Sequence, residues 1–245
     1  MKQTYQKNSS RYELIVALDK RYNTGSRVRY WHFLHKKYAW LIIISGAKFT
    51  KRAMDVAVSL SMLLILSPLL TLVAVLVKFT DGGPVFFNQT RIGKWGREFS
   101  AYKFRSMVID AEKQVESIVH LSHHENSISY KVKKDPRVTW IGRIIRKTSI
   151  DELPQLLNVL KGDMSLVGPR PHVQREVDQY TLNDRRRLDI LPGITCIWQV
   201  SGRADIPFPE QVKLDVQYIE SQSIWTDIKI LFLTIPAILF AKGAY

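Results

Sequence analysis

Val56-Ala-Val-Ser-Leu-Ser-Met-Leu-Leu-Ile-Leu-Ser-Pro-Leu-Leu-Thr-Leu-Val-Ala-Val-Leu-Val77 runs for 22 residues without a charge. A helix needs about 20 apolar residues to cross a bilayer, so the stretch is long enough to do so. Ser67 and Pro68 stand at its middle. Proline removes one backbone hydrogen bond there and its ring crowds the preceding turn, so a bend is expected. Lys48, Lys51 and Arg52 precede the run, and Lys78, Arg91, Lys94 and Arg97 follow it. Cations mark the cytoplasmic side of a membrane segment, and here they mark both ends. A single spanning helix is one solution. A helix that enters, breaks at Ser67-Pro68 and returns to the same face satisfies both flanks and is favoured, with the Ser67 hydroxyl free to bond a released carbonyl.

Two other stretches suit a membrane surface or, equally, a protein core: Tyr30 to Trp40, which mixes aromatics with cations, and Ile228 to Phe240, apolar but carrying Lys229 and Pro236. The 245 residues are 46% apolar and 24% charged, which excludes a disordered chain and a many-helix membrane protein and allows one main domain with attachments. The net charge is +14, yet residues 1–52 hold twelve Lys or Arg and two acids, leaving only +4 for the rest. Such a basic arm is drawn equally to nucleic acid and to anionic membrane. With no zinc-type cysteine spacing and no RNA-binding aromatic signature, no nucleic-acid partner is expected. Cys196 is the one cysteine, so no intrachain disulfide can form, and a cytosolic address is expected for the folded part. Residues 1–25 lack the apolar centre of a signal peptide, and the arm is expected to be retained.

Beyond the turn Asp81-Gly-Gly-Pro84, Val85 to Thr90 and Glu98 to Arg105 read as a hairpin around Gly93-Lys-Trp-Gly96. Lys103 and Arg105 fall on one face of the second strand, Tyr102 and Phe104 on the other. Ala111 to Leu121 has helical periodicity. Asp135-Pro136 opens another helix through Ile141, Ile144 and Ile145, with Arg143, Arg146 and Lys147 on its remaining surface. In the helix after it, Leu153, Leu156, Leu157 and Leu160 follow the i, i+3, i+4, i+7 rule, Gly162 supplies the stop, and Pro154 fits only a first turn. The expected fold is α+β: a small, mostly helical cytosolic domain with a short β-hairpin, anchored by a Pro-broken re-entrant helix and interfacial amphipathic helices. Its divisions are 1–47 (basic arm with aromatic interfacial stretch), 48–80 (re-entrant membrane helix) and 81–245 (cytosolic domain with a C-terminal interfacial helix).

Asp151 and Glu152 stand at that helix start, where Ser149-x-x-Glu152 also spells a capping box that needs no function at all. The same helix start can hold an anion, and an ionised carboxylate there can attack phosphorus or bind a divalent cation. Attack on a phosphate by a carboxylate needs cations to offset like-charge repulsion. Lys103, Arg105, Arg146, Lys147 and Arg170 are the candidates, Arg170 being set between prolines in Gly168-Pro-Arg-Pro171; an ordinary surface loop remains the alternative. A second loop, Pro192 to Arg203, offers Trp198 for stacking and Gln199 and Arg203 for hydrogen bonds. No P-loop or dinucleotide fingerprint occurs.

Together these residues resemble the bacterial sugar transferases, the monotopic polyprenyl-phosphate phosphoglycosyl transferases. The likeness runs through Lys51-Arg-Ala-Met-Asp55, the Ser67-Pro68 helix, Lys103-Phe-Arg-Ser-Met107, Thr148-Ser-Ile-Asp-Glu-Leu-Pro-Gln155, Gly162 to Pro171, Pro192-Gly-Ile-Thr195 and Trp198 to Arg203, or about residues 48–245. It is similar to the short, exopolysaccharide-initiating type. The resemblance implies transfer of a sugar 1-phosphate from a UDP-sugar to undecaprenyl phosphate with release of UMP and use of Mg2+, at the cytoplasmic face of the bacterial inner membrane. It implies Asp151 as the covalent nucleophile, Glu152 assisting at the metal, and Pro169, Gln199 and Arg203 in the nucleotide or sugar loops. Inner-membrane lipids are implied partners, and a homo-oligomer is left open. Cys196, where the family often has Gly, and Lys147, where Arg is frequent, depart from the pattern. A catalytically idle scaffold for polysaccharide assembly is the alternative, and it would have no need of the acidic pair.

Overall fold

Helix α1 (Arg27–Asp81) is 55 residues long and carries the whole uncharged run. The computed structural model describes residues 13, 16–17, 27–111, 135–202 and 205–239; the expected helix at Ala111 to Leu121 therefore lies, past Ala111, outside them. The chain divides into two units, residues 1–50 and residues 51–245. In the first, Tyr30, Trp31, Phe33 and Tyr38 are exposed along α1.

In the second, the secondary structure of α1 is not interrupted at Pro68. The missing amide of Pro68 leaves the Leu64 carbonyl without its helical partner, and the Ser67 hydroxyl donates to that carbonyl at 2.8 Å. Asp55, Ser59, Met62, Leu66, Leu70, Val73 and Val77 recur at helical spacing as a buried or half-buried stripe, while Leu60, Leu64, Ile65, Leu72, Val75 and Phe79 are exposed. The front of the stripe packs on a core of Leu156, Val159, Met164, Leu166, Tyr218 and Ile230. The back packs on Phe104, Ile141 and Ile145. Each such buried side chain contributes about 1.5–3 kcal/mol.

After α1 come β1 (Phe86–Ile92) and β2 (Glu98–Phe104), the expected antiparallel hairpin, in the register Phe86 to Phe104 and Ile92 to Glu98. Helix α2 (Trp140–Lys147) starts later than Asp135-Pro136, because Asp135 turns its carboxylate onto Arg137 and Thr139 caps the helix by accepting from the Gly142 amide at 2.9 Å. A 3₁₀ turn (Ile150–Gln155) leads into α3 (Leu156–Lys161), which Gly162 ends at φ +93°. Leu157 is exposed and Asn158 is buried in its stead. Asn158 accepts from the Tyr102 amide at 3.0 Å and donates to the Ser100 carbonyl at 2.7 Å, filling the free edge of β2 as a third strand would.

Strands β3 (Ser165–Val167) and β4 (Gly193–Thr195) pair in parallel, with α4 (Gln174–Val177) between them in sequence. A Cβ on Gly193 would lie 2.1 Å from the Gly168 nitrogen, and one on Gly168 2.5 Å from the Leu191 carbonyl oxygen, so only glycine permits this crossing. Helices α5 (Ile197–Ser201), α6 (Phe208–Glu220) and α7 (Ile224–Leu239) complete the unit. The described architecture is thus α+β and mostly helical, with one helix long and apolar enough to anchor in a membrane.

Polar groups tie α1 to this body. Lys51 Nζ pairs with Asp227 at 2.6 Å, and Tyr218 donates to the same carboxylate at 2.6 Å. Asp55 accepts from the Ser165 hydroxyl at 2.8 Å and the Leu166 amide at 3.2 Å. Arg52 donates to the Val159 and Leu160 carbonyls at 2.5 and 2.8 Å, satisfying the end of α3. Asp55→Ala strips two buried donors of their acceptor and is expected to cost roughly 3–5 kcal/mol. Thermal unfolding in detergent measures this against Ala53→Ser on the exposed face, and equal melting of the two variants would refute the clamp.

Candidate active site

The turn that ends α2 delivers the acidic pair. Ser149 sits in the left-handed region at φ +56°, an uncommon position for a residue other than glycine, and its side chain makes no cap bond. The capping box of the sequence is therefore not formed. Glu152 instead accepts from Lys103 Nζ at 2.7 Å and from Arg170 at 2.5 and 3.1 Å. Arg170 is brought there by the glycine crossing and by β1: the Gly168 amide donates to Thr195, the Arg91 guanidinium to the Pro171 carbonyl at 3.2 Å, and the Ile92 amide to His172.

Asp151 has no such partners. Its carboxylate opens into a cavity of about 320 Å³ whose polar end is lined by Lys103, Arg146, Ser149, Glu152 and Arg170. No Lys, Arg or His nitrogen lies within 4.0 Å of it among the described residues. Burial and the charge of Glu152 push its carboxyl up to about 6, against the weaker pull of Lys103, Arg146 and Arg170. Burial would raise Glu152 too, but Arg170 and Lys103 hold it well below the usual carboxylate range. Arg170 is raised in turn by Glu152, and Lys103 is lowered by burial. Two adjacent carboxylates thus have separate characters. One is a permanent anion locked by cations, and the other is a lightly held carboxylate facing open space.

Not every expected cation is brought to this cavity. Arg105 is bound by Asp81 at the end of α1 and lies against Gly83, because β2 has ended one residue earlier and the side chain is turned to the helix. Lys147 is exposed on the outer face of α2, one residue past Arg146, which does line the cavity. Pro169 is buried and acts through its backbone, accepting from the Gly193 amide at 2.9 Å. Gln199 and Trp198 line the cavity, and the Cys196 thiol donates to the side-chain amide oxygen (Oε1) of Gln199 at 3.0 Å. Behind them Arg187 and Asp215 form a fully buried ion pair at 2.7 Å. Arg203 lies outside the described residues. Sequence reading missed Asn158, whose sign is a lone amide in the apolar run Leu-Leu-Asn-Val-Leu, and Arg91, which looks like any flanking cation.

Among the described residues no three His, Cys, Asp or Glu side chains gather as a metal cage. The donors present, Asp151 and the remaining lone pairs of Glu152, fit a Mg2+ ion, which keeps several waters and needs only one or two carboxylates beside substrate phosphates.

Comparison with known proteins matches residues 46–241 to the bacterial sugar transferase family model. A galactosyl transferase CpsE of Streptococcus agalactiae is 54% identical over 67% of this chain and 36% of its own. An undecaprenyl-phosphate galactose phosphotransferase of Salmonella typhimurium is 44% identical over 82% of this chain and 42% of its own. The exopolysaccharide production protein ExoY of Rhizobium meliloti is 42% identical over 80% of this chain and 88% of its own. The chain therefore spans less than half of the first two relatives and most of the third.

Stability of the site should follow the two carboxylates in opposite directions. The stability contributed by Asp151 is complete below its ordinary value of 3.8, drains as pH rises to about 6, and is absent above. Asp151→Asn should therefore raise Tm by a few degrees at pH 7, the gain vanishing toward pH 4. Glu152→Gln, which leaves the half-buried Lys103 and Arg170 without a counter-charge, should cost roughly 1–3 kcal/mol at pH 7. Melting curves of both variants from pH 4 to 8 test the pair.

Proposed function

Because the chain belongs to the bacterial sugar transferase family, we propose that it moves a sugar 1-phosphate from a UDP-sugar to undecaprenyl phosphate, as a first membrane step of exopolysaccharide, capsule or O-antigen synthesis. The observation that carries this is the contrast within the acidic pair: Glu152 is paired with Lys103 and Arg170, while Asp151 faces the cavity with no cation in contact among the described residues.

An Asp151 oxygen attacks the sugar-bearing phosphorus of the UDP-sugar, the phosphoanhydride bond breaks, and UMP departs with the electron pair. Asp151 then carries the phosphosugar as an acyl phosphate. A phosphate oxygen of undecaprenyl phosphate attacks the same phosphorus, and the Asp151 carboxylate leaves ionised. A carboxyl poised near 6 is deprotonated at neutral pH and is also a competent leaving group. Lys103, Arg146 and Arg170 offset the charge that gathers on the phosphoryl oxygens. Glu152 keeps Lys103 and Arg170 oriented toward that point. Mg2+ held by Asp151 and Glu152 would supply further neutralisation of the diphosphate.

Placement at the cytoplasmic face of the inner membrane is supported by the two flanks of the apolar run. Lys51, Arg52 and Asp55 before it and Asp81 after it all bond the same folded body. Bonds from both flanks to one folded body support both ends lying on one side of the bilayer, and the cations at both flanks favour the cytoplasmic side, with α1 passing Pro68 uninterrupted.

Purified protein with UDP-sugar, Mg2+ and undecaprenyl phosphate should release UMP, and Asp151→Asn should lose at least roughly a thousandfold of that rate while still inserting. Without acceptor, labelled phosphosugar should stay on the wild-type chain and not on the variant. Insertion with no UMP release by the wild type would return the protein to the scaffold alternative. Phe49→Cys and Phe79→Cys, both at exposed positions, should react with an impermeant maleimide from the cytoplasmic side. Reaction from opposite sides would establish a spanning helix.

A further inference from the structure

The cavity that holds Asp151 has a second end of different chemistry. Besides the charged groups its lining includes Met62 of α1, Leu231, Thr234, Ala237 and Ile238 of α7, and Leu156 and Leu166. A wall of this kind gives a nucleotide sugar, polar along its whole length, little to bond and much to desolvate. It suits a ligand with an anionic head and a hydrocarbon tail.

Helix α7 explains how a tail would arrive there. Leu231, Thr234, Ala237 and Ile238 recur at three- and four-residue spacing and share one face. Its opposite side exposes Trp225, Phe232 and Ile235, at 80%, 69% and 57%. A helix apolar on the outside as well as toward the cavity matches one lying in the hydrocarbon boundary of a bilayer. Met62 comes from the segment of α1 whose neighbours Leu64 and Ile65 are exposed at 67% and 75%. The apolar end of the cavity is therefore framed by the two helices that present bare apolar surface. Thr234 bonds Thr195 at 2.8 Å and fixes α7 against β4, so the opening has a rigid frame.

We infer that the gap between Met62 and the Leu231–Ile238 face of α7 is the channel by which the first isoprene units of a polyprenyl phosphate pass from the membrane, delivering the phosphate head among Lys103, Arg146 and Arg170. The inference rests on the transferase reading and adds to it where the acceptor tail runs and which residues select for it. Ala237 is its smallest wall residue, and a larger side chain there narrows the channel without touching the charged end.

The experiment separates acceptor from donor. UMP release is measured against undecaprenyl phosphate and against UDP-sugar, for the wild type and for Ala237→Trp. The expected result is a fall of about tenfold or more in kcat/KM for undecaprenyl phosphate, with kcat/KM for the UDP-sugar changed less than about twofold. A fall in both together, or in neither, overturns the channel. Labelling covers the case in which the tryptophan variant does not fold: Ala237→Cys is treated with N-ethylmaleimide, the wild type with its buried Cys196 being the control. Undecaprenyl phosphate should slow the labelling at least about fivefold and UDP-sugar should not; equal rates with and without the lipid overturn the channel. Failure of the wild type to release UMP bears on the transferase reading instead, and the labelling then still decides the channel.

Discussion

One lysine between two buried aspartates holds the molecule in register. Lys51 pairs with Asp227 at 2.6 Å and stands 4.0 Å from Asp55, and both carboxylates are almost wholly buried. Such groups are tolerated inside a protein only when every one of them is matched. Ser165, the Leu166 amide and Tyr218 do the matching, and they reach from β3 and α6. The long apolar helix α1, the loop that carries Arg170 and helix α7 are thereby fixed to one another by a network that fails if any part shifts. Met62, two turns along α1, and the cavity wall of α7 inherit their spacing from it.

The same economy governs the acidic pair. Asp151 and Glu152 differ by one position and one methylene, yet their surroundings separate them more than their chemistry does. Glu152 sits where three converging hydrogen bonds from fixed cations require an anion. Asp151 sits where burial disfavours one. Ser149 sits in the left-handed region just before the turn that carries both, and consecutive positions on a helical turn send the two side chains in different directions.

Much of this was legible in residues, and the limits have physical causes. The hairpin could be read because its alternation and its glycines act over a few residues, and the Gly162 stop because a single conformational demand names glycine. The Ser67 hydroxyl and the Leu64 carbonyl could be foreseen from what proline removes. Arg105 and Lys147 were grouped with the site because charge spacing shows which residues are cations and not where a strand ends or a helix turns. Leu157 obeyed the apolar rule and is exposed, since the helix turns inward an asparagine that the edge of β2 needs more. The role of Lys51-Arg-Ala-Met-Asp55 was hidden for another reason: its partners lie more than a hundred residues away along the chain.

The glycine crossing of β3 and β4 also limits what can be redesigned. At Gly168 and Gly193 the backbones are so close that neither position accepts any side chain, and this junction aims Arg170 on one side and Trp198 and Gln199 on the other. If the proposed transfer holds, an engineer seeking a different sugar preference has no freedom at the junction itself. Variation must enter through side chains further along, at Gln199 and at Cys196, whose thiol orients it. On the proposed reading the Arg170 side, which meets phosphate, stays constant while the Gln199 side is open to change, a division set where two strands touch.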